Sequence, residues 1–176
     1  MTSFTLFTLS QRHLRSSSFP SSNDDNNSNT TETIGNEYEG RGNWWGIVKG
    51  RGNCLYCLPY CADQILKIDP SKDETTLVGK EYIGGGKWCN GFAHGDCIYL
   101  IPYTTNQFLK YNVKTGTSEL VGDDFGDDYG KWMSGAVADD GCLYCFPLFH
   151  KRILKFNPND DTTSFVIIDI AKLALE

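Results

Sequence analysis

Seven cysteines, at positions 54, 57, 61, 89, 97, 142 and 145, are the most reactive groups in the chain. Cys54-x-x-Cys57 and Cys142-x-x-Cys145 have the spacing of zinc-holding or redox-active pairs. Asp123, Asp124, Asp127 and Asp128 place four carboxylates in six residues, an oxygen-rich set of the kind calcium takes. Trp44, Trp88 and Trp132 offer flat faces on which a ligand such as a sugar can stack, and Lys67, Lys110 and Lys155 offer cations able to line a ligand channel. Lys87 and Lys131, each just before a tryptophan, suggest a small basic patch, which Asn43 weakens in the first unit. No catalytic residues stand out. His13, His94 and His150 fall at unrelated points, and no Ser/His/Asp arrangement, phosphate-cradling glycine loop or zinc-protease motif is present. No cofactor is expected.

These residues recur at matching places because the chain repeats. CLYCLPYCADQILKIDPSKDETTLVG from Cys54, CIYLIPYTTNQFLKYNVKTGTSELVG from Cys97 and CLYCFPLFHKRILKFNPNDDTTSFVI from Cys142 align without gaps. Pro59, Pro102 and Pro147 mark the units at spacings of 43 and 45. Each is followed eight residues later by Lys67, Lys110 or Lys155, and ten further on by Leu77, Leu120 or Phe165. IGNEYEGRGNWW from Ile34 also matches VGKEYIGGGKWC from Val78, so the repeats begin with the last strand of a preceding unit, near Thr31–Gly35.

Each unit reads as four short strands. GIVKG from Gly46, GFAHG from Gly91 and GAVAD from Gly135 follow the tryptophans, and turns rich in Gly, Asp and Asn come next. In the third strand Leu66 and Ile68 share one face while Ile65 and Lys67 share the other, the two-residue alternation of a sheet. A unit of ~44 residues with four strands is a propeller blade. The expected fold is therefore all-β: a partial β-propeller of three four-stranded blades, at about 43–79, 87–122 and 131–167, plus an orphan strand of a preceding blade. Residues 1–30 read as a disordered leader of transit-peptide-like composition, 31–167 as the repeats and 168–176 as a tail.

IYLIPYTTNQFLKYNVKTGTSEL, from Ile98, resembles a kelch repeat, although Pro59, Pro102 and Pro147 stand where kelch units carry a double glycine. The combined GGGKWC, IYLIPY and LKYN signature looks like that of propeller-type repeat proteins of algae and protists. The resemblance spans about residues 31–167 and implies a fold without implying an activity.

A repeat also supplies a structural reading for each candidate. Within a strand, cysteines three apart face opposite ways, and the middle unit has Leu100 in place of the second one, so both pairs read as packing residues in a reducing compartment. One tryptophan per unit reads as interblade packing. The lysines read as stems laid along a sheet with the ammonium in water, and the aspartates as a solvated interblade loop.

With 16 basic and 22 acidic side chains the formal charge is −6, which argues against nucleic acid and against an anionic membrane surface as partners. No apolar run reaches the ~20 residues of a spanning helix. The leading functional expectation is a non-catalytic propeller module that binds another protein, a small ligand or a second copy of itself, inside the cell and with organelle import open from the leader. The alternatives are a metal-dependent hydrolase or lactonase of propeller type, and a truncated piece without independent function.

Overall fold

The computed structural model describes residues 33–166. They form twelve strands in three separate four-stranded antiparallel sheets. The first blade comprises β1 (Trp44–Lys49), β2 (Leu55–Pro59), β3 (Ile65–Asp69) and β4 (Glu74–Val78). The second comprises β5 (Trp88–His94), β6 (Cys97–Pro102), β7 (Phe108–Asn112) and β8 (Ser118–Val121). The third comprises β9 (Trp132–Val137), β10 (Leu143–Pro147), β11 (Leu154–Asn157) and β12 (Thr162–Phe165). Strands pair in chain order within each sheet, as up-and-down meanders. The chain therefore has the all-β blade architecture that the repeats predict. The strand expected at Thr31–Gly35 falls partly outside the described residues. Thr33 and Ile34 carry no strand pairing, and from Gly35 the chain retraces the connection that elsewhere leads into a blade. The leader and tail lie outside the described residues. Among those described, no helix is long and apolar enough to cross a membrane.

Register explains the side-chain faces. Tyr56 pairs with Lys67, Tyr99 with Lys110 and Tyr144 with Lys155, so each lysine stem lies beside a tyrosine ring. Alternation then gives every blade two apolar faces. Val48, Tyr56, Leu58 and Ile65 of the first blade pack on Ile98, Leu100, Leu109 and Tyr111 of the second. Phe92, Tyr99, Ile101 and Phe108 of the second pack on Leu143, Cys145, Leu154 and Phe156 of the third. The inner strands follow suit, β1 against β5 and β5 against β9.

Close approach dictates residue size at one register position. Gly91 faces Leu100, and a Cβ there would lie 2.4 Å from the Tyr99 carbonyl oxygen and 2.9 Å from Leu58 Cδ1 of the preceding blade. Gly135 holds the same place in the third blade, with the Tyr144 oxygen 2.8 Å away. In the first blade, with no described blade behind it, the position is Ile47, and it is 54% exposed.

The repeated tryptophans join blade to connection. Trp88 and Trp132 are buried, and each gathers an apolar area of ~150–250 Å², a gross gain of about 4–6 kcal/mol. Their indole N–H groups donate to the carbonyls of Gln107 and Arg152, and Trp44 donates to that of Gln64, all at 3.0 Å. An edge-on ring from the incoming connection covers each one: Tyr38 on Trp44, Tyr82 on Trp88 and Phe125 on Trp132, with centroids 4.9–5.1 Å apart.

Candidate functional site

At the end of each blade where the inner strand begins, the second strand finishes at the marker proline. The following residue is aromatic or apolar: Tyr60, Tyr103 and Leu148. Backbone bonds stitch this end across the blades. Lys87 N donates to Tyr60 O, Tyr103 N to Lys87 O, Lys131 N to Tyr103 O and Leu148 N to Lys131 O, at 2.9–3.0 Å. The stitching brings rings from all three repeats into one line. Trp45 packs on Tyr60 at 5.0 Å and on Tyr103 at 6.5 Å, Tyr103 meets Tyr129 edge-on at 5.1 Å, and Tyr129 stacks with Phe149 at 6.3 Å. Trp45, Tyr129 and Phe149 are 43%, 61% and 68% exposed, whereas Tyr103 is buried beneath them. Burial, and then the neighbouring hydroxyl of Tyr129, push the Tyr103 phenol above its usual range and keep it protonated. Tyr60 is raised by the same two causes. The result is an aromatic ledge with neutral hydroxyls, a surface for stacking and hydrogen bonding rather than for proton transfer.

Two buried lysines underlie this ledge. The expected basic patch at Lys87 and Lys131 is corrected by their burial at 3% and 1% exposure. Lys131 Nζ donates to the carbonyls of Thr104 at 2.8 Å and of Gly126 and Asp128 at 2.9 Å. Lys87 Nζ donates to the carbonyls of Gly84 and Tyr60. Burial lowers both pKa values, opposed at Lys131 by Asp128, Asp127 and Asp124. Each ammonium gathers carbonyls of the loop ahead of its blade and of the preceding blade's end, three at Lys131, one for each N–H, and two at Lys87, and neither charge reaches the surface. Asn43 does the same without charge, its Nδ2 donating to the Glu39 carbonyl at 2.7 Å.

The other sequence candidates lie elsewhere. Trp88 and Trp132 sit in the blade interfaces, with Trp44 half-buried at the equivalent place. Lys67, Lys110 and Lys155 lie on third strands, two strands out from the inner edge, and are not brought together. Lys110 pairs with Asp161 at 2.5 Å across the interface between second and third blades, and Lys155 with Asp140 at 2.7 Å within its own blade. Lys67 lines an open cleft between the first and second blades.

The Asp123–Asp128 loop turns its carbonyls inward onto Lys131. Asp124 accepts from Asn106 at 2.9 Å and from the Gly126 amide at 2.8 Å, and Asp123 accepts from Thr163. The loop thus already encloses one cation, a lysine. Among the described residues no group of three or more His, Cys, Asp or Glu side chains converges as metal ligands do. All seven thiols are free, and burial raises the pKa of Cys57 to about 11 and that of Cys89 to about 12, which keeps them protonated.

Sequence reasoning passed over the ledge because Trp45, Tyr129 and Phe149 do not repeat. The available signal was the run Tyr60, Tyr103 and Leu148 directly after the marker prolines, where a turn would ordinarily be polar.

No family model and no curated protein matches the chain. Solved structures do. A streptogramin B lyase superposes with a TM-score of 0.59 at 14% identity, over 72% of this chain and 41% of that one. Virginiamycin B lyase from Staphylococcus aureus, in a crystal structure with quinupristin, gives 0.58 at 12% identity over the same shares. An auxiliary nutrient binding protein from Bacteroides ovatus gives 0.51 at 16% identity, over 68% of this chain and 35% of that one. The chain thus spans about two fifths of the length of the lyases it matches. At such identities the likeness shows the fold, a part of a β-propeller.

Proposed function

We propose that the chain is a non-catalytic propeller module that binds another protein, and that the contact is made by the ledge of Trp45, Tyr60, Tyr103, Tyr129 and Phe149. The observation that carries this reading is the exposure of Tyr129 and Phe149, at 61% and 68%, in a continuous aromatic line anchored on a buried tyrosine. Exposed aromatic patches of this kind mark interaction surfaces. Large rings on a rigid base lose little entropy when covered, which is why they dominate binding hot spots. Trp45 stands on β1, and backbone bonds between blades tie down the segments that carry Tyr60, Tyr103, Tyr129 and Phe149.

Selection of a random peptide library on the full chain tests it. Sequences enriched on the wild type are expected to bind the double variant Tyr129→Ala, Phe149→Ala at least tenfold more weakly, with the circular dichroism spectrum unchanged. Selected peptides that bind the variant as well as the wild type refute the ledge.

A second reading is that the module is one segment of a closed ring, completed by further blades or by a second copy. The outward faces of the end blades support it: Ile47 and Leu77 on the first and Phe146 on the third are each 43–63% exposed. Sedimentation of the full chain decides between a monomer and a dimer.

A further inference from the structure

The two described blade interfaces carry different charge pairs at the end of the blades opposite the aromatic ledge. Between the second and third blades, Lys110 reaches forward to Asp161, and the Tyr99 hydroxyl donates to the Pro158 carbonyl at 3.2 Å. Asp161 sits at the turn between third and fourth strands, at φ +58°. The matching residue in the second blade is Gly116, at φ +73°, and so the carboxylate that would meet Lys67 is missing. Lys67 forms no hydrogen bond or ion pair among the described residues. It faces a cleft of about 370 Å³, lined also by Arg51, Tyr56, Asp96, Val113 and Lys114. Arg51 pairs with Asp96 across the blades; Asp96 also attracts Lys114, and Asp69, outside the lining, attracts Lys67, so the lining itself sets three cations against one carboxylate. A Cβ at Gly116 would meet nothing within 4 Å, so the space of the absent side chain is open.

We propose that this cleft is a binding site for a small carboxylate, whose anionic group takes against Lys67 the place that Asp161 takes against Lys110. Lys114 adds a second cation at the mouth. Tyr56 and Val113 supply an apolar wall for the body of the ligand. A carboxylate accepts hydrogen bonds from both cations at once, the charge-assisted geometry in which such bonds are strongest. The aromatic ledge takes no part, so this site and the protein-binding reading stand or fall separately.

Calorimetric titration of the full chain with succinate, at low ionic strength, tests the assignment. One saturable site is expected. Lys67→Met should weaken it at least tenfold, and so should Gly116→Asp, which supplies the internal carboxylate on a backbone that Asp161 shows an aspartate can adopt. Lys155→Met, at a lysine already paired with Asp140, should leave binding unchanged. The proposal is overturned if the wild type shows no saturable uptake, if Lys67→Met binds as tightly as the wild type, or if inorganic phosphate binds more tightly than succinate. Should Gly116→Asp fail to fold, Lys67→Met decides alone.

Discussion

Replacing Lys131 by methionine tests the central element of the ledge. The methionine keeps most of the apolar stem and removes the ammonium, so three carbonyls, of Thr104, Gly126 and Asp128, lose their shared donor in a site that is 1% exposed. Each buried acceptor left without a partner costs about 1–3 kcal/mol. Relief from burying a charge offsets part of that sum, and the net expectation is a loss of about 3 kcal/mol. For a domain of this size 1 kcal/mol moves the melting point by about 2–4 °C, so Lys131→Met should melt about 6–12 °C below the wild type. Lys87→Met provides the internal scale. Lys87 holds two carbonyls rather than three, the Tyr60 contact is long at 3.4 Å, and its loss should be about half as large. Urea unfolding followed by tryptophan fluorescence measures both. A Lys131→Met protein within about 1 kcal/mol of the wild type, or one less affected than Lys87→Met, refutes the view that these lysines are internal clamps.

Two other perturbations follow from the same geometry. Gly91→Ala should destabilise by about 1–3 kcal/mol, because the new methyl meets a backbone oxygen that cannot move aside, whereas Ile47→Ala at the matching register position should stay within about 0.5 kcal/mol; paired denaturant melts compare them. Asp140 is held at a pKa of about 2, first by the Lys155 ammonium, then by the Cys142 amide and the Tyr144 hydroxyl. A depressed carboxylate stabilises the fold above its ordinary pKa of 3.8 and loses that contribution as pH falls towards 2. Asp140→Asn should therefore flatten the stability profile between pH 4 and 2 and leave its shape above pH 5 unchanged, as read by melting temperature across buffers.

Most of the architecture was legible in the sequence. The three repeats, the strand alternation around Lys67, Lys110 and Lys155 and the once-per-blade tryptophans depend on residues near one another in the chain. A two-residue period and a marker proline expose such local rules directly. Even the size rule at Gly91 and Gly135 is visible as a recurring glycine, although its cause, a paired-strand carbonyl together with Leu58 of the preceding blade at Gly91 and Leu143 of the same blade at Gly135, is not.

The candidate sites were not legible. Both are built between blades, from positions offset by most of a repeat, and no local pattern encodes which offset residues meet. Lys131 reads as a surface cation until the loop of Gly126 and Asp128 folds over it and its donors find three carbonyls. Trp45, Tyr129 and Phe149 are isolated aromatics until backbone bonds across the blades set them in line. Lys67, Lys110 and Lys155 are equivalent by sequence, and only packing separates them, because the group each lysine meets is contributed by a turn with its own composition. Sequence determined the blades, since a sheet's side-chain alternation is a property of each strand. Tertiary structure decided which charges are compensated and which rings reach water, since both depend on what the next blade places opposite them.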